Sequence, residues 1–217
     1  MKKLLLTTAL AAAAFAPIAA SAEKGDLLVR ARGILVAPTE ETSDVLPALP
    51  GASVEIENAI VPELDFTYFL SDRMAVELIL ATSPHDLEGT GAIEGLGKVA
   101  DLWALPPTLT LQYHFAPDAT FRPYVGVGLN YTLFYNEDAS DSLNDALGAT
   151  DVDVDDSFGI AFQLGADIDL NETWFFNADI KYIQIDTEAT LTTGTLVNTV
   201  DVDLDPVVFG LGIGRKF

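Results

Sequence analysis

The last eleven residues, Val207 to Phe217, constrain the fold of this chain more than any other stretch. Side chains on a strand alternate between its two faces, so Phe209, Leu211 and Ile213 share one apolar face, which Phe217 continues. The opposite face carries small or polar residues, namely Gly210, Gly212, Gly214 and Lys216. At the edge of a soluble sheet such a strand would promote aggregation, whereas a strand that closes a barrel in lipid has no free edge. The stretch therefore favours a membrane barrel over a soluble sandwich.

The N-terminus predicts export. Two lysines precede an apolar run from Leu4 to Ala16, and Ala20-Ser21-Ala22 forms a small-residue cleavage site. The run is too short and wrongly flanked to remain as a membrane-spanning helix. We therefore predict a cleaved secretory signal peptide over residues 1–22 and a single barrel domain over residues 23–217.

Composition excludes several classes of function. The chain has no cysteine, so disulfides and thiolate chemistry are excluded. Its net charge of −22, which becomes −24 without the predicted signal peptide, disfavours nucleic acid as a partner. No later run of about 20 apolar residues exists to form a transmembrane helix.

Segments of alternating hydrophobicity recur along the predicted mature chain. They are Leu27–Val36, Val61–Leu70, Met74–Ala81, Thr108–Phe115, Phe121–Tyr135, Phe158–Leu170, Trp174–Ile185 and the closing strand. Tight turns and long polar connections separate them in alternation, which is typical of an outer-membrane barrel with short periplasmic turns and longer extracellular loops. The predicted fold is all-β: an eight-stranded antiparallel transmembrane up-and-down barrel. Alternation alone would also suit a lipocalin-like soluble barrel with its faces exchanged.

The residues on the two faces favour the membrane alternative. Aromatic residues lie near the strand ends of the apolar face, where interfacial girdles occur, at Tyr68, Tyr113, Phe115, Trp174 and Phe217. The opposite face carries charged side chains that could pair across a narrow lumen, at Arg30, Arg32, Glu63, Asp65, Glu77, Asp167, Asp179 and Lys181.

Strand direction alternates, so each inward residue can be assigned a height in the lumen. We predict an apolar cup near the loop end, formed by Ile34, Val36, Ile79, Ala81, Phe134, Ala161, Ile183 and Ile185. We predict a charged lumen floor near the turn end, formed by Arg30, Arg32, Asp65, Glu77, Gln112, His114, Asp167, Asp169, Asn177, Asp179 and Lys181, with Glu63 as an exception. The cup could pack the upper core or hold one small ligand, because an eight-stranded barrel is just wide enough for either.

The residues do not predict catalysis or metal binding. His114 is expected to be a lumen histidine that is hydrogen-bonded to a carboxylate, and His85 to lie in a loop. The acidic run from Asp151 to Asp156 lacks the glycine of an EF-hand loop and is interpreted as a solvated surface. We predict a protein that is not an enzyme and has no cofactor.

Several stretches carry a resemblance to a known family. They are Leu105–Phe115, Arg122–Tyr131, Gly159–Asp167 and Asp205-Pro206. Over essentially the whole predicted mature chain the sequence resembles the outer-membrane protein W (OmpW) family. That resemblance implies an outer-membrane barrel with a narrow apolar channel that takes up small hydrophobic molecules. Arg215 departs from the pattern, since an aromatic residue is expected before the terminal Lys-Phe.

These interpretations predict the location and the partners. We expect the chain in the bacterial outer membrane, in contact with its lipid and with small hydrophobic ligands. The strand ending at Phe217 is the expected signal for the barrel-assembly machinery. The alternative is a structural or surface-interaction barrel with a closed lumen.

The phase of alternation changes at Pro206, which predicts a bulge or a break in strand pairing. Proline cannot donate to a ladder, and the last strand of a barrel pairs with the first. We therefore predict lateral exit of cargo into the membrane near Pro206, towards Ile34 and Val36.

Overall fold

The structure, a computed structural model, describes residues 23–39 and 41–217. The predicted signal peptide lies outside these residues and stays a prediction. Strands in the described ranges are β1 (Leu27–Ala37), β2 (Glu41–Thr42), β3 (Ala52–Ile56), β4 (Ala59–Phe69), β5 (Met74–Ala81), β6 (Ser83–Gly91), β7 (Lys98–Leu105), β8 (Thr108–His114), β9 (Phe121–Ala139), β10 (Thr150–Val154), β11 (Ser157–Asp169), β12 (Trp174–Ile183), β13 (Asp186–Thr193), β14 (Leu196–Asp203) and β15 (Val207–Lys216). A short 3₁₀ helix spans Glu94–Leu96, and helix α1 spans Asp141–Leu147. None of the helices in the described ranges is long and apolar enough to cross a membrane.

Eight of the strands in the described chain close into an antiparallel barrel, as predicted. The order around the wall is β1-β4-β5-β8-β9-β11-β12-β15, and β15 pairs with β1 to complete it. Closure is in register along β1 and β15, for example at Ala31 opposite Ile213. Tight turns after β4, β8 and β11 lie at one end of the barrel, here called the turn end. The long connections lie at the other, the loop end.

The barrel wall is apolar outside and largely polar inside. Outward side chains such as Leu109 and Leu211 are 53% and 60% exposed, while the inward Arg30 and Asp65 are 0% exposed. The five aromatic residues predicted near the strand ends are exposed on the outer surface. This arrangement inverts the pattern of a soluble barrel, so the apolar belt is suited to lipid.

The long connections differ from the prediction of irregular polar loops. β3, β6 and β7 extend the wall beyond β9, while β10, β13, β14 and β2 form a separate sheet. The prediction was wrong because these strands are short and rich in acidic residues, so their alternation resembled a polar loop. In β10, for example, Val152 and Val154 are buried, whereas Asp151 and Asp153 are exposed. The residues from Val200 to Asp203, just before the predicted change of phase at Pro206, belong to β14.

One apolar cluster packs between the two loop-end sheets, and a second lines the upper barrel. Leu87, Val99 and Val202 belong to the loop-end core, and Leu143 of α1 packs into it. Helix α1 lies within the long acidic connection between β9 and β10. Ser140 caps this helix, since its Oγ accepts a hydrogen bond from the Leu143 amide at 3.1 Å.

Candidate functional site

The structure buries every residue of the predicted lumen floor. Period-two alternation places these side chains inside because the outward positions of the same strands are apolar and contact lipid. Buried charges are stable only when they are paired and hydrogen-bonded. The pairing within the floor therefore decides whether the lower lumen is open.

Arg30 forms the lower of two ion-pair clusters. Its Nη1 lies 2.8 Å from Glu77 Oε1, and its Nη2 lies 3.0 Å from Asp167 Oδ2. The guanidinium carbon is 5.5 Å from the ring centroids of both Tyr124 and Phe175. Aromatic faces and two carboxylates therefore surround this cation.

Arg32 forms the upper cluster. Its Nε lies 2.8 Å from Glu63 Oε1 and 2.7 Å from Asp65 Oδ2, and its Nη1 lies 2.7 Å from Asp179 Oδ2. Lys181 joins the same carboxylates, with Nζ 2.9 Å from Glu63 Oε1 and 3.1 Å from Asp179 Oδ2. The sequence indicated that these charges could pair across the lumen, but it did not indicate which carboxylate pairs with which cation. The two clusters fill the lower lumen with fixed charge.

The floor contains a third arginine, Arg122, which was not predicted from the sequence. Arg122 pairs with Asp169 and lies over the Phe175 ring, 5.6 Å from its centroid. Continuing the alternation of β9 two residues back from Tyr124 would have placed Arg122 inside.

The predicted carboxylate partner of His114 is wrong. His114 Nε2 lies 3.1 Å from Gln112 Oε1, two residues away on the same face of β8. Its ring packs against Phe69 and Tyr124, with centroids 4.7 and 5.0 Å away. The prediction failed because the nearby Asp167 pairs with Arg30.

Above the floor lies an apolar cavity with a volume of about 80 Å³. Most of the predicted apolar cup lines it, namely Ile34, Val36, Ile79, Ala81, Phe134, Ile183 and Ile185. Ala161 is buried in the same apolar cluster without being a lining residue. Further lining residues were not predicted from the sequence, including Val61 and Val208 of the wall and Leu87, Leu102 and Val202 of the loop-end strands. Only the fold brings these loop-end strands over the barrel.

Polar groups occur at the bottom and at one side of the cavity. Glu63 and Lys181 mark its lower boundary. At the side, Ser83 Oγ lies 2.8 Å from His85 Nε2, and His85 Nδ1 lies 3.2 Å from the carbonyl oxygen of Glu57. His85 is thus a buried residue of β6 in the loop-end wall, rather than the predicted loop residue. Burial lowers the pKa of His85 below its usual value, because the charged form is poorly solvated there.

Pro206 lies in the link between β14 and β15 and lines the cavity. The link is bonded to both neighbouring strands: Ile183 N donates to Pro206 O at 3.2 Å, and Thr39 N donates to Leu204 O at 3.0 Å. Asp205 adds a side-chain bond, accepting from Ile185 N at 3.1 Å. The predicted break in pairing is therefore local.

The predicted weak point does not extend to the first strand. Ile34 pairs with Gly210 and Val36 with Val208 in an unbroken ladder that continues to Ala37. A second interruption occurs elsewhere, since the register of β4 with β5 ends at Glu63 opposite Ala81, and β6 turns away to pair with β3 and β7.

The acidic run from Asp151 to Asp156 lies at the loop end, with its carboxylates exposed. Within the described ranges, no group of three or more histidine, aspartate or glutamate side chains could hold a metal ion.

A closed eight-stranded barrel with an apolar belt, terminal aromatic residues and a polar lumen is the architecture of an outer-membrane β-barrel protein. Comparison with protein families gives the narrower class. The chain belongs to the OmpW family, whose model matches residues 23–217.

Two of the three similar proteins compared below, protein W and OprG, are named as outer membrane proteins. Outer membrane protein W of Vibrio cholerae is 37% identical over 211 residues, covering 96% of this chain and 95% of the relative. The dibenzothiophene metabolism operon protein PahQ of Pseudomonas aeruginosa is 32% identical over 173 residues, covering 78% of this chain and 77% of PahQ. The crystal structure of OprG from Pseudomonas aeruginosa superposes with a TM-score of 0.86 at 34% identity, covering 92% of this chain and 99% of OprG. The protein is therefore located in the bacterial outer membrane.

Proposed function

We propose that this barrel takes up small hydrophobic molecules through the cavity above the lumen floor. The observation that carries the proposal is the unfilled upper lumen. Side chains can fill a barrel of eight strands completely, yet a cavity of about 80 Å³ remains in the upper lumen of this one. Most of the lining is aliphatic, so a hydrophobic molecule is favoured there over water.

The name of one relative agrees with this class of cargo. PahQ is named for a dibenzothiophene metabolism operon. Dibenzothiophene is a flat, apolar aromatic molecule without hydrogen-bond donors, so burial in an apolar cavity is favourable for it. We infer that the present chain admits molecules of comparable polarity.

The floor directs the cargo sideways. A hydrophobic molecule that moved below Glu63 and Lys181 would have to separate buried ion pairs such as Arg32–Asp179. Breaking such a pair leaves an uncompensated charge in a dry environment, which strongly opposes passage. We therefore include lateral release into the membrane in the proposal, at the interruption beside Pro206.

Blocking the cavity tests the proposal. Ala81→Trp places a large ring in the cavity, while Leu80→Trp places the same ring on the lipid-facing side of the adjacent position. In cells that lack other members of the family, Ala81→Trp should reduce dibenzothiophene uptake to the level of cells without the barrel. Leu80→Trp should retain parental uptake.

Gel mobility before and after boiling confirms that both variants fold. Equal uptake by the two folded variants would contradict the proposal. It would instead favour a barrel with a closed lumen that acts through its surface.

A further inference from the structure

The polar side chains that line the cavity define the hydrogen bonds a bound molecule can make. Among the described lining residues they are Glu63, Ser83, His85, Thr108, Thr132, Lys181 and Thr187. A side chain whose donor hydrogens are already bonded to protein offers an incoming molecule only its free lone pairs. The partners of each group therefore indicate which molecules fit best.

Each threonine hydroxyl donates to a protein acceptor. Thr108 Oγ1 donates to the carbonyl oxygen of Pro106 at 3.0 Å, and Thr132 Oγ1 to Asn130 Oδ1 at 2.7 Å. Thr187 Oγ1 donates to the carbonyl oxygen of Asp155 at 2.5 Å. Turning any of these hydroxyls towards a ligand would cost a hydrogen bond to a protein acceptor. The carbonyl oxygen of Pro106 would keep only its 3.3 Å bond from Asn130 Nδ2.

The charged pair at the bottom follows the same pattern. An ammonium group has three donor hydrogens. Lys181 Nζ donates to Glu63 Oε1 at 2.9 Å, to Glu63 Oε2 at 3.0 Å and to Asp179 Oδ2 at 3.1 Å. Both carboxylate oxygens of Glu63 accept from this ammonium group.

At the side of the cavity, the tautomer of His85 fixes the direction of the Ser83 hydroxyl. The carbonyl oxygen of Glu57 can only accept, so His85 Nδ1 carries the hydrogen of that 3.2 Å bond. Nε2 is then an acceptor, and the Ser83 hydroxyl donates to it at 2.8 Å. Ser83 Oγ retains lone pairs but has no hydrogen to offer.

We propose that the polar lining of this cavity accepts hydrogen bonds without donating them, so that it selects neutral apolar molecules carrying an O–H or N–H donor. Aliphatic alcohols and phenols are the corresponding class. Ethers, ketones and esters of the same shape, which only accept, are disfavoured, and so are carboxylate anions. This inference rests on the proposed uptake function and names its preferred cargo.

The preference follows from desolvation. A hydroxyl that leaves water for the cavity can donate to a lone pair such as that of Ser83 Oγ, whereas an ether oxygen loses its water partners and gains no donor. One hydrogen bond of ordinary strength corresponds to a discrimination of about tenfold.

A matched set of ligands tests the inference. The full barrel in lipid nanodiscs is titrated with 2-naphthol, 2-methoxynaphthalene and naphthalene in competition with the fluorescent probe N-phenyl-1-naphthylamine. Empty nanodiscs correct for partition into lipid. We expect all three to displace the probe, with 2-naphthol binding about tenfold more tightly than 2-methoxynaphthalene.

One substitution should change this ratio without emptying the cavity. His85→Phe removes the acceptor for the Ser83 hydroxyl, which then becomes free to donate to an ether oxygen. The ratio should fall towards one. Asp86→Asn is the matched control, because Asp86 is the next residue on the outer side of β6 and pairs there with Lys98; its ratio should equal that of the parent.

The possible outcomes distinguish the donor preference from the proposed uptake function. Displacement by naphthalene with equal affinities for naphthol and its methyl ether in the parent would overturn the donor preference and leave the uptake proposal intact. Failure of naphthalene itself to displace the probe would overturn both. An unchanged ratio in folded His85→Phe would exclude Ser83 and His85 as the source of the preference.

Discussion

Arg32 Nη1 and Asp179 Oδ2 lie 2.7 Å apart inside the lumen, although their strands, β1 and β12, are not neighbours in the wall. β15 lies between them and presents Gly210 and Gly212 to the lumen. A Cβ on Gly210 would meet Asp179, so the pair depends on the absence of side chains on the intervening strand. The closing strand therefore both completes the barrel and makes room for its floor.

Removal of Arg32 should destabilise the barrel. Arg32→Ala leaves Glu63, Asp65 and Asp179 without their common cation, and breaking a buried pair typically costs about 3–5 kcal/mol. Urea unfolding in lipid vesicles, followed by tryptophan fluorescence, measures the change. Arg73→Ala is the control, since this exposed turn residue should leave the free energy of unfolding unchanged. Equal stability of both variants would show that the floor charges are solvated.

A methyl group on Gly212 should also destabilise the floor. The added Cβ of Gly212→Ala would lie 2.7 Å from Arg32 Cα, a backbone atom that cannot move aside easily. We expect a loss of about 1–3 kcal/mol in the free energy of unfolding, as for other overpacked positions. Gly33→Ala adds the same group where no atom lies within 4 Å and should be tolerated. Equal stabilities would contradict the close approach of β1 and β15.

Restoring a donor at Pro206 should slow lateral release. Pro206→Val supplies the N–H that proline lacks, which strengthens the wall beside the cavity. With folding verified, uptake of a hydrophobic tracer should fall while leakage of small polar solutes stays constant. Unchanged hydrophobic uptake would exclude an exit at this position. The interruption between β4 and β6 would then be the next position to close.

Acidification should weaken the loop-end wall through His85. Its pKa is lowered in the folded protein, chiefly by burial, while Glu57 and Asp86 act in the opposite direction. Below about pH 6.5 the unfolded chain therefore binds a proton that the folded chain resists, and stability is lost as the pH falls. The thermal midpoint of the parent should decrease more between pH 7.5 and 5.5 than that of His85→Gln. Parallel curves would show that His85 does not titrate differently on folding.

The wall of the barrel and the facing of its side chains were predictable from the sequence. Period-two alternation is a local property, so the outward Leu211 and the inward Arg30 follow from neighbouring residues alone. The same reasoning separated a charged floor from an apolar cup. Strand direction alternates around the barrel, so the position of each inward residue along its strand also gives its height in the lumen.

The partners within the floor were less predictable. Glu63 lies nearer the loop end than the other charged inward residues and was predicted to be an exception to the floor. In the structure it joins Arg32 to Lys181 at the top of the floor. Alternation fixes which face a side chain occupies, but it does not fix which side chain lies opposite across the lumen. Which side chains meet across the lumen depends on the stagger of neighbouring strands around the closed barrel and on the space left by the glycines of β15.

The sequence by itself determined an eight-stranded barrel, its apolar exterior and the polarity of the two halves of its lumen. Tertiary structure alone decided that the long connections form two packed sheets, which bring Leu87 and Val202 to the cavity and turn His85 inward towards Ser83. The reason is physical: contacts between distant segments depend on register and closure, which a local period does not encode. The bonds that direct the hydroxyl hydrogens of the cavity lining likewise exist only once those segments have met.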